Sequence, residues 1–364
     1  MKSQVLACVS SSLAQLAEAE VTGRLPDKVI QDLVKTGFFD LVRPKQFGGQ
    51  EAEFPDLIDI VVETASWNGS LAWFMMIMSQ HNIVARLLPR SLCDMVFSSR
   101  PMLMASCAYP VGRAEPSGDT YILNGTWKYA TGIHFSNWVL VDADIEGAPA
   151  GKGARFILPS SAFSVHDDWN AIGMRASGSN SISLIDHPVS ATMRVESKLA
   201  HFSGRDAEIK VPRRYRIPGR LLTALGTTAP IIGLLVGMVR ELSPKQSTRL
   251  TLEQVASRAE LTGLFGRVRI LHDAYFGMVK QVSDYTYKPE LFTGAFQQDM
   301  VMRCARLSQQ CRALASELFA QSGTKGAERS SAVAIKFADI HVMSTHYLMR
   351  PLVAEVNSVL MKNG

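Results

Sequence analysis

Apolar positions recur every three to four residues over the first hundred positions of the chain. In "LPDKVIQDLVKTGFF" Leu25, Val29, Leu33 and Val34 fall on one face, with Pro26 in the first turn and Gly37 near the stop. "EAEFPDLIDIVVETASW" repeats the pattern with Leu57, Ile60, Val61 and Thr64. The next segment departs from it. "GSLAWFMMIMSQHNIVARLL" holds eight consecutive apolar residues, Leu71 to Met78, then Ser79, Gln80, His81 and Asn82, and then apolar residues again. Such a run suits a membrane span, a core helix that surfaces, or the wall of a pocket.

From residue 102 the period shortens to two. "TYILNGTWKYATG" alternates, and its Asn124-Gly125 step predicts a hairpin turn. "NWVLVDADI", "ARFILPS" and "SISLIDHPV" are short strand-like runs between loops. Residues 201–220 are polar, basic and broken by Pro and Gly, which predicts a long connection. Helical patterning then returns over Leu221–Val239, 251–285, 295–322 and 331–360. The expected architecture is α+β: an N-terminal helical domain (1–100), a middle β-barrel or sandwich domain (101–200), the 201–220 connection, and a C-terminal helical bundle (221–364).

Charge narrows the function classes. The formal net charge is +5, and Lys and Arg are spread along the chain apart from "RRYR" at 213–216. A nucleic-acid partner is not expected from that distribution. Leu221–Val239 carries no charge and approaches the roughly 20 apolar residues that span a bilayer. Its Thr223, Thr227, Thr228 and Pro230 favour the centre of a helical bundle, so no membrane partner is expected. Five cysteines without a Cys-x-x-Cys pair, and an acidic rather than apolar N-terminal stretch, fit a reduced, cytoplasmic protein.

Common chemical motifs are missing. "EGAPAGKGA" at 146–154 has Gly153 where a phosphate loop needs a magnesium-binding Ser or Thr, and reads as a β-hairpin loop. His341 and His346 are five positions apart, about 140° round a helix, so no metal site is expected. "ASGSNS" at 176–181 lacks the spacing of a nucleophile elbow.

The helix–β–helix order, together with four stretches, resembles the acyl-CoA dehydrogenase fold. "GSLAWFMMIMSQHN" is similar to the helix that this family places beside the flavin. "YILNGTWKYATGIHFSNWVLVDA" is similar to its first β segment, and "DDWNAIGMRASGSNSISL" (167–184) to its most recognisable β motif. "KFADIHVMSTHY" (336–347) is similar to a C-terminal helix. Acyl-CoA dehydrogenases abstract a proton with a glutamate near the C-terminus. Here "HVMSTHYLMRP" holds no carboxylate between Asp339 and Glu355. It holds His346 instead, which resembles the two-component flavin-dependent monooxygenases of the same fold.

That resemblance implies a substrate, a cofactor and partners. The substrate is a small organic molecule. The cofactor is reduced FMN or FAD, delivered by a separate flavin reductase, and it forms a flavin C4a-hydroperoxide with dioxygen. The assembly is a homo-oligomer, a tetramer. It implies catalytic roles for His346 and His81, with His81 and its polar neighbours facing a closed, dry pocket. It implies flavin contacts for Thr131, Trp169, Arg175, Ser177, Ser179 and Asn180. Each has a plainer reading: a core histidine at His81, a turn residue at Thr131, fold-holding residues at Trp169 and Asn180, a loop pin at Arg175. Lys245 and Arg249 are the cations offered for the far end of FAD, and Arg213, Arg214 and Arg216 either cover the pocket, meet a phosphate or remain solvated. Two other functions stay open at this point, an oxidase or dehydrogenase with an atypical base and a flavin-less descendant of the fold.

Overall fold

Val29, Ile30 and Leu33 are the buried face of a helix, α3 (Asp27–Lys35), with Asp27 in its first turn and Lys35 in its last, where each charge suits the helix dipole. Of the other residues expected on that face, Leu25 is buried but precedes the helix, and Val34 is only half-buried. Gly37 takes the left-handed conformation just beyond the helix, with φ +76°. A computed structural model describes residues 1–86, 88–149, 153–195, 212–243 and 252–351. It divides into two compact units, each drawn from separated stretches of chain.

The first unit comprises 1–53, 74–170 and 175–219. It contains α1 (Lys2–Ser11), α2 (Leu13–Thr22), α3, the greater part of α5 (Gly69–Ala85) and α6 (Arg90–Phe97). Among the described residues seven strands make one sheet: β1 (Met104–Ser117), β2 (Thr120–Ala130), β3 (Trp138–Ile145), β4 (Ala154–Pro159), β5 (Ser164–His166), β6 (Asn180–Ser190) and β7 (Arg194–Val195), in the order β5-β6-β2-β1-β3-β4-β7. The β1–β3 pair is parallel and the rest are antiparallel. Alternate residues, among them Leu123, Trp127, Val139, Val141, Phe156 and Ile182, form a closed apolar core. β3 and β4 pair antiparallel, with Ala143 opposite Ala154; of the expected hairpin loop between them, residues 150–152 lie outside the described residues.

The turn predicted at Asn124-Gly125 is not there. The chain reverses six residues earlier, at Gly118-Asp119, where Gly118 has φ +58° and Ser117 pairs with Thr120. Asn124-Gly125 lies inside β2 for two other reasons. A Cβ on Gly125 would sit 2.8 Å from the Trp127 ring, and one on Gly112 of β1 only 2.2 Å from it, so both glycines clear room for the indole. Asn124 receives the Asp186 N–H at 2.8 Å and donates to its carboxylate at 3.1 Å, holding a bulge in β6 where Asp186 has φ +46°.

The second unit comprises 54–73, 171–174 and 220 onward. Its helices are α4 (Phe54–Ala65), the start of α5, α7 (Gly219–Leu242), α8 (Leu252–Tyr285), α9 (Gly294–Ala320) and α10 (Ala332–Met343). By length and composition α7 is apolar enough to cross a membrane, yet 83% of its most apolar window is buried inside the protein, as expected for the core helix of a bundle. Its glycines bring backbones together. A Cβ on Gly233 would lie 2.2 Å from the Val62 carbonyl oxygen, and one on Gly237 would lie 2.3 Å from that of Ser66.

At the described end of the basic connection the arginines are half-buried and engaged by the protein. Arg213 and Arg214 both pair with Glu53, the latter at 2.9 Å, and the buried Tyr215 hydroxyl donates to the Val42 carbonyl at 3.0 Å. Residues 201–211, Lys245, Arg249, Glu355 and the predicted helical stretch 352–360 lie outside the described residues.

Candidate functional site

A turn following β2 and a turn preceding β6 meet through side-chain hydroxyls. Thr131 Oγ1 lies 3.0 Å from Ser179 Oγ, which lies 2.9 Å from Ser177 Oγ, and all three residues are buried. The backbone adds a bond from Gly132 N–H to the Ser177 carbonyl at 3.2 Å. Gly132 has φ +66°, and a Cβ there would stand 2.5 Å from the Phe74 ring and 3.0 Å from the Met78 side chain. The turn is therefore flush against α5, and only glycine fits. Thr131, Ser177 and Ser179 are thus brought together on an apolar wall.

Asn180 and Trp169 form a neighbouring group. Asn180 Oδ1 accepts the Trp169 N–H at 3.0 Å, while its amide nitrogen lies 3.0 Å from His134 Nε2 and 3.2 Å from Asp167 Oδ1. The Trp169 ring meets Tyr129 edge-on at 5.3 Å. Arg175 points elsewhere: its guanidinium donates to the carbonyls of Glu20 at 2.8 Å and Val21 at 3.4 Å, in the last turn of α2. This is the loop-pinning geometry.

The polar cluster of α5 is buried throughout. Ser79, Gln80, His81 and Asn82 are each at most 5% exposed. His81 Nε2 is 3.1 Å from Ser106 Oγ on β1. Ser79 Oγ, Gln80 Oε1, His81 Nδ1 and Asn82 Oδ1 make no hydrogen bond of good geometry among the described residues. Burial pushes the His81 pKa down to about 4; backbone groups at Met104 and Ile77 oppose the shift without outweighing it. The imidazole is neutral at pH 7. Ser106 escaped the sequence reading because a single Ser in a strand carries no pattern of its own.

His346 belongs to the second unit and His81 to the first. The expectation that His346 rides on a helix is corrected: α10 ends at Met343, and His346 caps the short 3-10 turn Tyr347–Met349. Its Nδ1 accepts the Leu348 N–H at 3.4 Å, a long bond that leaves the ring proton on Nε2. Trp73 meets the ring edge-on at 5.9 Å, and Tyr347 lies at 4.7 Å. Burial lowers this pKa as well, to about 4, not the near-neutral value of a free imidazole. His346 is therefore a neutral hydrogen-bonding group, and only a weak base. Among the described residues no group of three His, Cys, Asp or Glu is placed to hold a metal.

The donor set fits a flavin ring. Uncharged hydroxyls on an apolar wall can bond the edge of an isoalloxazine, and buried polar atoms without protein partners call for an explanation such as a ligand. The fold is acyl-CoA dehydrogenase-like, the fold of the oxygenase components of two-component flavin-dependent monooxygenases. No family model matches the chain. The oxygenase subunit HsaA of a flavin-dependent monooxygenase from Mycobacterium tuberculosis is 26% identical over 279 residues, 74% of this chain and 70% of that protein. The oxygenase component of an FADH2-dependent resorcinol hydroxylase from Rhizobium sp. is 30% identical over 181 residues, 48% of this chain and 43% of its own length. In structure, XiaF from Streptomyces sp., solved with FADH2 and glycerol, superposes with a TM-score of 0.87 at 20% identity, covering 99% of this chain and 95% of that one.

Proposed function

We propose that the protein is the oxygenase component of a two-component flavin-dependent monooxygenase acting on a small aromatic substrate. It takes reduced FMN or FAD from a separate reductase. Bound reduced flavin supplies two electrons to dioxygen, so that one oxygen atom enters the substrate and the other leaves as water. The observation that carries this reading is the buried Thr131–Ser179–Ser177 hydroxyl cluster beside Gly132, whose backbone lies against Phe74 and Met78. We assign these hydroxyls to the flavin ring, with Asn180, Trp169 and Arg175 shaping the loops around it.

The histidines work as uncharged groups. His346 of the second unit would donate from Nε2. His81 of the first unit, coupled to Ser106, would offer a neutral polar contact of its own. Excluding water protects the activated oxygen from loss as hydrogen peroxide. The same reading includes the N-terminal helical, middle β and C-terminal helical layout, a cytoplasmic location and a homotetramer. Exposed Ile270, Tyr287 and Leu291, at 67%, 67% and 38%, supply apolar area for subunit contact.

The test is anaerobic titration with reduced FMN and reduced FAD, followed by oxygen. Saturable binding and a long-lived oxygenated flavin spectrum are expected. Failure to bind either reduced flavin would refute the proposal. Tightly held oxidised flavin that an acyl-CoA bleaches would replace it with a dehydrogenase.

A further inference from the structure

Within the second unit, four residues stand apart in sequence from everything around them. Ala171–Met174 lies in the middle of the 167–184 motif, yet packs with 54–73 and with 220 onward. The contact is made by Asp339 of α10, a carboxylate 1% exposed that neither the sequence reading nor the proposed chemistry uses. Its Oδ1 accepts the Met174 N–H at 2.6 Å, the length of a charge-assisted bond. Met174 has φ +56°, which a non-glycine residue holds only where its surroundings over-determine it. Next to it, a Cβ on Gly173 would lie 2.4 Å from the Ala338 carbonyl carbon and 2.7 Å from the Asp339 nitrogen, so the loop backbone lies directly on the helix backbone.

The other oxygen faces a second segment. A Cβ on Gly69, the first residue of α5, would stand 2.6 Å from Asp339 Oδ2. A carboxylate beside a helix N-terminus interacts favourably with the partial positive charge there. Asn68 caps the same terminus by accepting the Leu71 N–H at 2.7 Å. Two chain segments therefore leave from one carboxylate: α5 runs on to His81, and Met174 runs on to Ser177 and Ser179.

We infer that Asp339 is a positioning residue for the flavin-facing turn: by fixing Gly173–Met174 it sets where the Arg175–Ser179 turn begins, and so the placing of the Ser177 and Ser179 hydroxyls. This rests on the flavin-monooxygenase reading above. It predicts a role that needs the acceptor most and the charge second. Asp339→Asn keeps an acceptor for Met174 N–H, whereas Asp339→Ala keeps nothing. Lys336→Met is the control, because it removes another buried charged side chain of α10, paired with the part-exposed Glu241 of α7 at 3.1 Å, without a hydrogen bond to the loop.

The first measurement needs no flavin. Hydrogen exchange by mass spectrometry on the flavin-free protein should show faster exchange across residues 171–180 in Asp339→Ala, less in Asp339→Asn, and none in Lys336→Met. The second is the dissociation constant for reduced FMN. It should rise about ten-fold or more in Asp339→Ala, as expected for losing a bond to a charged group, with Asp339→Asn in between. Wild-type exchange and affinity in Asp339→Ala would overturn the inference, as would equal damage from Lys336→Met. If Asp339→Ala does not fold, Asp339→Asn decides: unchanged exchange and affinity overturn the inference, and a graded loss of both supports it. Wild-type protein that binds no reduced flavin would sink the parent reading, a result distinct from an unaffected Asp339 variant.

Discussion

At the scale of single residues, the proposed function gives the chemistry to neutral histidines. His346 sits against Trp73 with its Nδ1 engaged by Leu348, so its useful atom is Nε2. His346→Ala should retain fold and flavin affinity and lose coupled product by about 10²-fold, in the range of typical acid–base and hydrogen-bonding contributions, with the oxygen appearing as peroxide. Near-normal product yield with an intact thermal melt would leave His346 as a packing residue. The depressed pKa values also bear on stability. With folded values near 4 for His81 and His346 against about 6.5 unfolded, the unfolded chain binds protons first as pH falls. Stability from this source is full above about pH 6.5 and is lost between there and about pH 4; for the fully buried His81 the loss is roughly 3 kcal/mol. Urea midpoints measured from pH 7.5 to 4.5 should follow that slope, and His81→Leu should flatten it. A midpoint indifferent to pH would show that the imidazoles are solvated.

At the scale of elements, glycine has opposite meanings in α7 and α8. Gly233 touches the α4 backbone, so Gly233→Ala should destabilise by about 1–3 kcal/mol through overpacking. Gly263 in α8 has nothing within 4 Å of where its Cβ would be, so Gly263→Ala should stabilise by about 0.5–1 kcal/mol. Thermal melts that move in the same direction for both would contradict this packing. The sequence made the long elements plain because each buries a periodic face: α3, α8 and α9 fall within one or two residues of expectation. It misled where a residue's reason is tertiary. Asn124-Gly125 has hairpin chemistry, but Gly125 exists for Trp127 and Asn124 for Asp186. The end of α10 was equally hidden, since the apolar residues that continue past Met343 serve a capped turn. In the site, motif residues such as Thr131 and Ser179 could be located in sequence, whereas Ser106 and Asp339 act through partners distant along the chain and leave no local mark.

At the scale of the molecule, exposed Ile270 on α8 and Tyr287 and Leu291 just beyond it are the apolar area on which the proposed self-association rests. Light scattering at micromolar concentration should report a multiple of 39.9 kDa, four-fold in the proposed tetramer. A clean monomer would remove that part of the proposal.

The interleaving of the two units also has a cost in time. The chain passes from one to the other at 53/54, 73/74, 170/171, 174/175 and 219/220. Helix α4, with eight buried residues, leaves the ribosome early, but the backbone that Val62 packs on arrives with Gly233. At roughly 5–20 residues per second, that wait is on the order of ten seconds. Throughout it, Leu57, Ile58, Val61 and their neighbours have no lasting cover. Nascent chains arrested at residue 219 should therefore be held by a general chaperone that releases chains completed through α10. Equal chaperone occupancy on both would mean that α4 needs no such cover while it waits.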